Sequence, residues 1–423
     1  MTRMLELDIP DRIAMATIAL AKHILLTFAL ILGAGTAISI LSEKLRIPDV
    51  ALFLIAGIFL GPEMTGLVDI SVNSTLNQII LVFGASYILF DGGASLRLDV
   101  LKEVWITVGV LSTLGVLVTA GITAAIAGYV FSLSPVVSLL LAFVLASTDP
   151  ATLIPVFRQV KIRDRVAQTV LSESAFNDAV GAIATFAVLG MAMGHGEFSF
   201  GNALMTFFRE ASIGILIGAM AGYFASLLIA HEKFGFFQEH APIVTLMAVL
   251  GAYLGADGLH ASGFMAVFVF GILLGNKDMF GFRMKDNEQE KMEDFVATTA
   301  LIFRTFIFIL LGAQIDFSLM SRYLAGGIVV VILFMTLARP ITVLICALPD
   351  RRAKWKAEEL LFMCWTRETG VMPGALAGLL LAIGAPHARL IASVTFIAIL
   401  TTILVQAPTS RWLAARLGLL KDC

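Results

Sequence analysis

Hydrophobic runs of bilayer length recur along the chain, each cut by a short polar break. Crossing the apolar part of a bilayer takes about 20 mostly apolar residues. Thirteen stretches reach or approach that length: 18–42, 48–68, 75–94, 101–131, 135–158, 165–193, 203–230, 240–257, 261–276, 294–315, 323–348, 356–384 and 388–412. The breaks carry charge and turn residues, as in "SEKLRIPD", "FRQVKIRDR", "NKDMFGFRMKDNEQEK" and "PDRRAKWK". The pattern predicts an all-α polytopic membrane protein with about 13 transmembrane helices.

Composition agrees. The chain is 59% hydrophobic and 14% charged, against about 45–50% and about 25% in soluble domains. The formal net charge of −2 suggests no nucleic-acid partner. Cys346, Cys364 and Cys423 are far apart, without metal-ligand or disulfide spacing. No Gly-Lys pair exists, so the GxxxxGK phosphate loop is missing and ATP hydrolysis on this chain drives nothing. No cofactor is expected. The start, "MTRMLELDIPDR", does not read as a removable signal peptide, and no soluble domain of any size is expected.

Charge placement adds an orientation. With the N-terminus outside, 20 of the 29 lysines and arginines fall on the cytoplasmic side and 5 on the other. The remaining four, Lys22, Arg304, Arg339 and Arg367, lie within spans. Positive charge collects on the cytoplasmic side of membrane proteins, so the C-terminus is expected in the cytoplasm.

Ionisable groups inside spans cost about 2.5–3.5 kcal/mol each on insertion scales. Here they include Asp91, Asp149, Glu173, Asp178, Arg339, Arg367 and Glu368. In span 5, "STDPATLIP" carries Pro150 and Pro155, which remove helical N–H groups and disfavour helix just before them. An interruption is expected near 147–150, freeing the Thr148 carbonyl beside Asp149. Span 12 has a matching feature, "TRETGVMPGALAG", with Gly370, Pro373 and Gly374. Paired interruptions point to a secondary transporter's midplane site; two packing kinks are the plain alternative.

In span 6, "SESAFND", Ser174 and Asp178 are four apart and share a helix face; Glu173 and Asn177 share the adjacent one. Ser174, Asp178 and Asp149 then offer an all-oxygen set suited to a hard cation, Na⁺ or Li⁺. Glu173 is expected to pair with Arg367, which stays charged and needs a carboxylate; a purely structural ion pair is the competing reading of these two. Two carboxylates in a low-dielectric site repel, and burial opposes each charge. A proton and a cation then compete for one site, which is the logic of exchange. Arg304 and Arg339 read as packing residues with no assigned partner. Gly214, Gly218 and Gly222 read as a packing stripe on span 7.

At "STDPATLIPVF", "SESAFNDAVGAI", "ASGFMAVFVFGILLGN" and "TRETGVMPGALAG" the sequence resembles the NhaP-type sodium/proton antiporters of the monovalent cation:proton antiporter-1 family, relatives of the animal sodium/proton exchangers. The resemblance implies thirteen helices in inverted repeats, with spans 5 and 12 as crossed, discontinuous helices. It implies a core transport domain from residues 99–195 and 319–423, a dimerisation domain from 1–98 and 236–318, and a linking span in 196–235. By the family pattern Asp149, Asp178, Ser174 and Thr148 bind the cation, Asn177 organises the site, and Glu173 pairs with Arg367. The Asn177–Asp178 form implies electroneutral one-for-one exchange. A homodimer, elevator-like movement and a prokaryotic inner-membrane location are implied as well. The long regulatory tail of the animal exchangers is absent from the pattern.

The expected activity is thus Na⁺ (or Li⁺)/H⁺ antiport, with K⁺/H⁺ antiport as the near alternative. An intramembrane aspartyl protease also uses two aspartates, but its GxGD motif is missing; only "GADG" occurs, at 255–258. A passive channel would need no titrating acid pair.

Overall fold

The computed structural model describes residues 9–45, 49–148, 162–194, 200–231 and 235–420. Among them the regular structure is helical, with one isolated bridge between Ile162 and Leu420. The helices are α1 Ile9–Leu45, α2 Asp49–Leu60, α3 Thr75–Ala94, α4 Leu98–Ser112, α5 Leu114–Phe131, α6 Pro135–Ala146, α7 Asp164–Ala192, α8 Phe200–Ala230 and α9 Ala241–Gly258. They continue with α10 Gly263–Gly275, α11 Asp286–Ala313, α12 Phe317–Leu333, α13 Arg339–Ala347, α14 Ala357–Trp365, α15 Val371–Ile383, α16 Ala388–Thr401 and α17 Ala407–Arg416. Among the described residues nine helical stretches are long and apolar enough to cross a membrane. Four shorter apolar helices, α2, α6, α10 and α15, lie between them.

In lipid there is little hydrophobic drive between helices, so small residues that let backbones approach matter most. A Cβ on Gly57 of α2 would lie 2.2 Å from the Ile309 carbonyl of α11, and one on Gly312 would lie 2.3 Å from the Leu54 carbonyl. The stripe Gly214, Gly218 and Gly222 on α8 faces Ser262, Ala266 and Leu273 of the α10 segment, 2.7, 2.2 and 2.7 Å away by the same measure. Through such contacts α10 packs on α3 and α8, and α11 on α2 and α3. Elsewhere α5 packs on α6, α7 on α4 and α6, and α12 on α16. Helix α15 touches α3, α11, α16 and α6.

Helix interruptions position the polar residues. Helix α6 ends at Ala146, and Ser147 is extended (φ −70°, ψ 139°). The helix thus ends just ahead of the interruption expected near 147–150, whose residues Asp149 and Pro150 lie outside the described ones. Helix α14 ends at Trp365, and α15 begins only at Val371, so Thr366–Gly370 is unwound. Pro373 is therefore not the breaker: it sits in the first turn of α15, where its missing N–H has no intrahelical partner to lose. Among the described residues two π turns complete the picture. Phe334–Ala338 leads into Arg339 and Pro340; Thr402–Gln406 leads into Ala407 and Pro408. Each widens the helix just before a proline ring that a regular turn would clash with.

Candidate ion-binding site

The end of α6 meets the middle of α7. Ser147 Oγ donates to Asp178 Oδ1 at 2.6 Å. The Thr148 N–H donates to Asn177 Oδ1 at 3.1 Å, and Asn177 Nδ2 donates to Thr148 Oγ1 at 2.8 Å. The hydroxyls of Thr148 and Ser174 are 2.8 Å apart. All are buried: Ser147 and Asn177 at 0% exposure, Ser174 and Asp178 at 3%, Thr148 at 4%. Thr148, Ser174, Asn177 and Asp178 thus lie close together; helical spacing put Ser174 and Asp178 on one face, whereas Thr148 was expected from the helix break and Asn177 from the resemblance. Asp149 lies outside the described residues. Asn177 engages the backbone N–H and hydroxyl of Thr148, just past the end of α6, where the N–H has left the helical pattern.

Glu173 does not pair with Arg367. Its carboxylate takes both Nη atoms of Arg339, with Nη2 to Oε2 at 2.8 Å, and Arg339 Nε donates to the Met363 carbonyl at 2.9 Å. Both side chains are buried, Glu173 at 2% and Arg339 at 1% exposure. Arg339 follows the π turn, at a point where its planar fork meets Glu173 in two parallel bonds. Arg367 instead stands on the unwound segment. It donates to the Ala146 carbonyl and, at 3.3 Å, to Thr119 Oγ1, and lies 5.3 Å from the Phe334 ring centre. Ala146 is the last residue of α6, so Arg367 meets the negative end of that helix dipole rather than a carboxylate. Arg304, for which no partner was assigned, has Asp49 at 4.0 Å.

Sequence reasoning passed over three contributors. Ser147 stands in the quoted "STDP" but was given no part; a hydroxyl next to a helix break and a buried acid was the available signal. Arg339 was read as packing, because spacing along the chain does not tell which of two buried arginines reaches Glu173. Thr119 on α5 carries no local signal at all.

Long apolar helices broken around a buried cluster of carboxylate, amide and hydroxyl groups define a polytopic helical membrane protein. Residues 26–416 match the family described as "Sodium/hydrogen exchanger, transmembrane". The chain belongs to that family, and it is a secondary transporter rather than an enzyme. It is 33% identical over 361 residues to "Na(+)/H(+) antiporter 1" of Methanocaldococcus jannaschii, covering 83% of this chain and 81% of that one. It is 27% identical over 390 residues to "K(+)/H(+) antiporter NhaP" of Alkalimonas amylolytica, covering 89% and 64%. Its fold is similar to the solved structure of the sodium proton antiporter MjNhaP1 from M. jannaschii at pH 8, with a TM-score of 0.81, 30% identity, and 93% and 99% of the two chains covered.

Proposed function

We propose that this chain exchanges Na⁺ or Li⁺ for H⁺, one for one and without net charge movement, across a prokaryotic inner membrane. The observation that carries the reading is the meeting of Ser147, Thr148, Ser174, Asn177 and Asp178 at the break of α6, with every one of these side chains buried. Buried oxygens at an interrupted helix suit a partly dehydrated hard cation. Asp178, together with Asp149 by the family pattern, carries either the cation or the proton, and Thr148 and Ser174 complete the oxygen set. Asn177 holds the break in shape, while Glu173 with Arg339, and Arg367 with the end of α6, brace the surrounding helices.

In this reading the four short apolar helices each belong to a span, making thirteen, with spans 5 and 12 crossing at their breaks. Residues 99–195 and 319–423 form a moving core that slides, elevator-like, against a dimer scaffold of 1–98 and 236–318. Residues 196–235 link the two. The N-terminus faces outward and the C-terminus the cytoplasm, as the positive-inside pattern favours.

K⁺ in place of Na⁺ is the second reading, favoured by the resemblance to a relative named as a K⁺/H⁺ antiporter. Reconstituted vesicles loaded with a pH dye and given Na⁺, Li⁺ or K⁺ in turn decide between the two. Alkalinisation with Na⁺ or Li⁺, unaffected by an imposed potential, is expected. Dependence of the rate on potential would overturn electroneutrality, and a response to K⁺ alone would overturn the sodium assignment.

A further inference from the structure

One neighbouring helix reaches the backbone at both ends of the unwound segment Thr366–Gly370, at Trp365 just before it and at Thr369 within it. Gln406 Nε2 donates to the Trp365 carbonyl at 2.7 Å. Thr402 Oγ1 accepts from the Thr369 N–H at 3.1 Å, and donates its own hydrogen to the Ala398 carbonyl at 2.8 Å. The Trp365 indole is tied down as well, donating to Thr409 Oγ1 at 2.9 Å. Thr402 and Gln406 are the first and last residues of the second π turn, and both are fully buried. One extra residue in a helix rotates everything beyond it by about 100°. The π turn therefore sets where Gln406 points.

These two contacts bracket Arg367 on both sides. Arg367 in turn reaches the Ala146 carbonyl, and the next residue, Ser147, donates to Asp178. The π turn of 402–406 and the Asp178 carboxylate are thus linked by three hydrogen bonds joined through the backbone of residues 365–367 and 146–147. The Gln406 Oε1 atom is buried without a hydrogen-bond partner among the described residues. The amide therefore has one end engaged on the Trp365 carbonyl and the other end without a partner, so its placement is fixed through the Nε2 bond alone.

We infer that Gln406 and Thr402 are positioning residues of the ion site. By fixing the two flanks of Arg367 they set the position of the α6 terminus, and with it the distance from Ser147 and Thr148 to Asp178, Asn177 and Ser174. Neither touches the ion. The inference rests on the reading of Asp178 as the exchanging group.

Gln406→Leu, Thr402→Val and Thr402→Ser in proteoliposomes test it, with apparent cation KM, maximal rate and pH profile measured beside yield and thermal melting. Gln406→Leu is expected to keep yield, with a small fall in melting from the unpaired Trp365 carbonyl, while raising the apparent KM about tenfold or more, the usual effect of losing a supporting hydrogen bond at an ion site. Its pH profile should be displaced. Thr402→Val should behave likewise, and Thr402→Ser should restore wild-type values. Folded variants with wild-type KM and pH profile overturn the inference, as does a rate loss that tracks yield alone. Should Gln406→Leu not fold, the Thr402→Val and Thr402→Ser pair decides. Asp178→Asn in the same assay separates the two levels. If it keeps exchange, the site reading itself fails; if it abolishes exchange while the other variants are unchanged, only the positioning role fails.

Discussion

Replacing Arg339 by methionine would leave Glu173 buried without its two donors. The pair is almost fully enclosed, with side chains 1% and 3% exposed. Removing one partner of a buried ion pair costs about 3–5 kcal/mol, because the other charge stays behind uncompensated. Loss of the Nε bond to the Met363 carbonyl adds about 1 kcal/mol. Arg367→Met removes bonds to a carbonyl and a hydroxyl but strands no carboxylate, so it should cost less. Double-mutant cycles with Glu173→Gln separate the two arginines. SDS-titrated unfolding in mixed micelles provides the free energies. Glu173→Gln with Arg339→Met should show a coupling of about 2–3 kcal/mol, and with Arg367→Met under about 1 kcal/mol. Stronger coupling of Glu173 to Arg367 than to Arg339 would refute the pairing.

Three further outcomes follow from local geometry. Ser147→Ala removes the 2.6 Å hydrogen bond to Asp178; a bond to a charged group is worth about 1.5–3 kcal/mol, so the apparent cation KM should change about tenfold or more, with the fold intact by size-exclusion profile. Gly312→Ala forces a Cβ to 2.3 Å from the Leu54 carbonyl and should reduce the folded yield, whereas Gly251→Ala, with nothing within 4 Å, should not. Asp350, in the loop after α13, is opposed by burial. Hydrogen bonds from Thr107 and the Ala353 and Arg352 N–H groups outweigh this and hold its pKa below the ordinary carboxylate value of 3.8. Its contribution to stability is therefore present above that value and lost as pH falls through the lower folded-state pKa. Asp350→Asn should lower the melting temperature at neutral pH, and the difference should shrink only in strong acid.

Much of this was legible in the chain. Span positions follow from bilayer-length apolar runs, and the break before Pro150 from proline's effect on the residues preceding it. The α7 half of the site follows from helical spacing: positions 174 and 178 must share a face. The charge partners were not legible. Glu173 and Arg339 lie on two different helices and Arg367 on the unwound segment between two others, and nothing local records which guanidinium reaches the carboxylate. A π turn shifts the helical phase by one residue and leaves no reliable sequence mark, so Arg339 and Gln406 could not be aimed from periodicity. The span-12 feature was readable only as the stretch "TRETGVMPGALAG" with its glycines and proline; that the unwound residues are Thr366–Gly370, ahead of Pro373, was not. Hydrogen bonds across about 250 positions, such as Arg367 to Thr119, are set by packing alone.

The central claim is that one cation and one proton compete for Asp178. Its most direct test is the apparent cation KM of reconstituted protein measured across a pH series. Competition predicts that KM rises about tenfold for each unit of falling pH on the acid side, at constant maximal rate, with Asp178→Asn inactive at every pH. A KM independent of pH, or exchange that survives in Asp178→Asn, would contradict it.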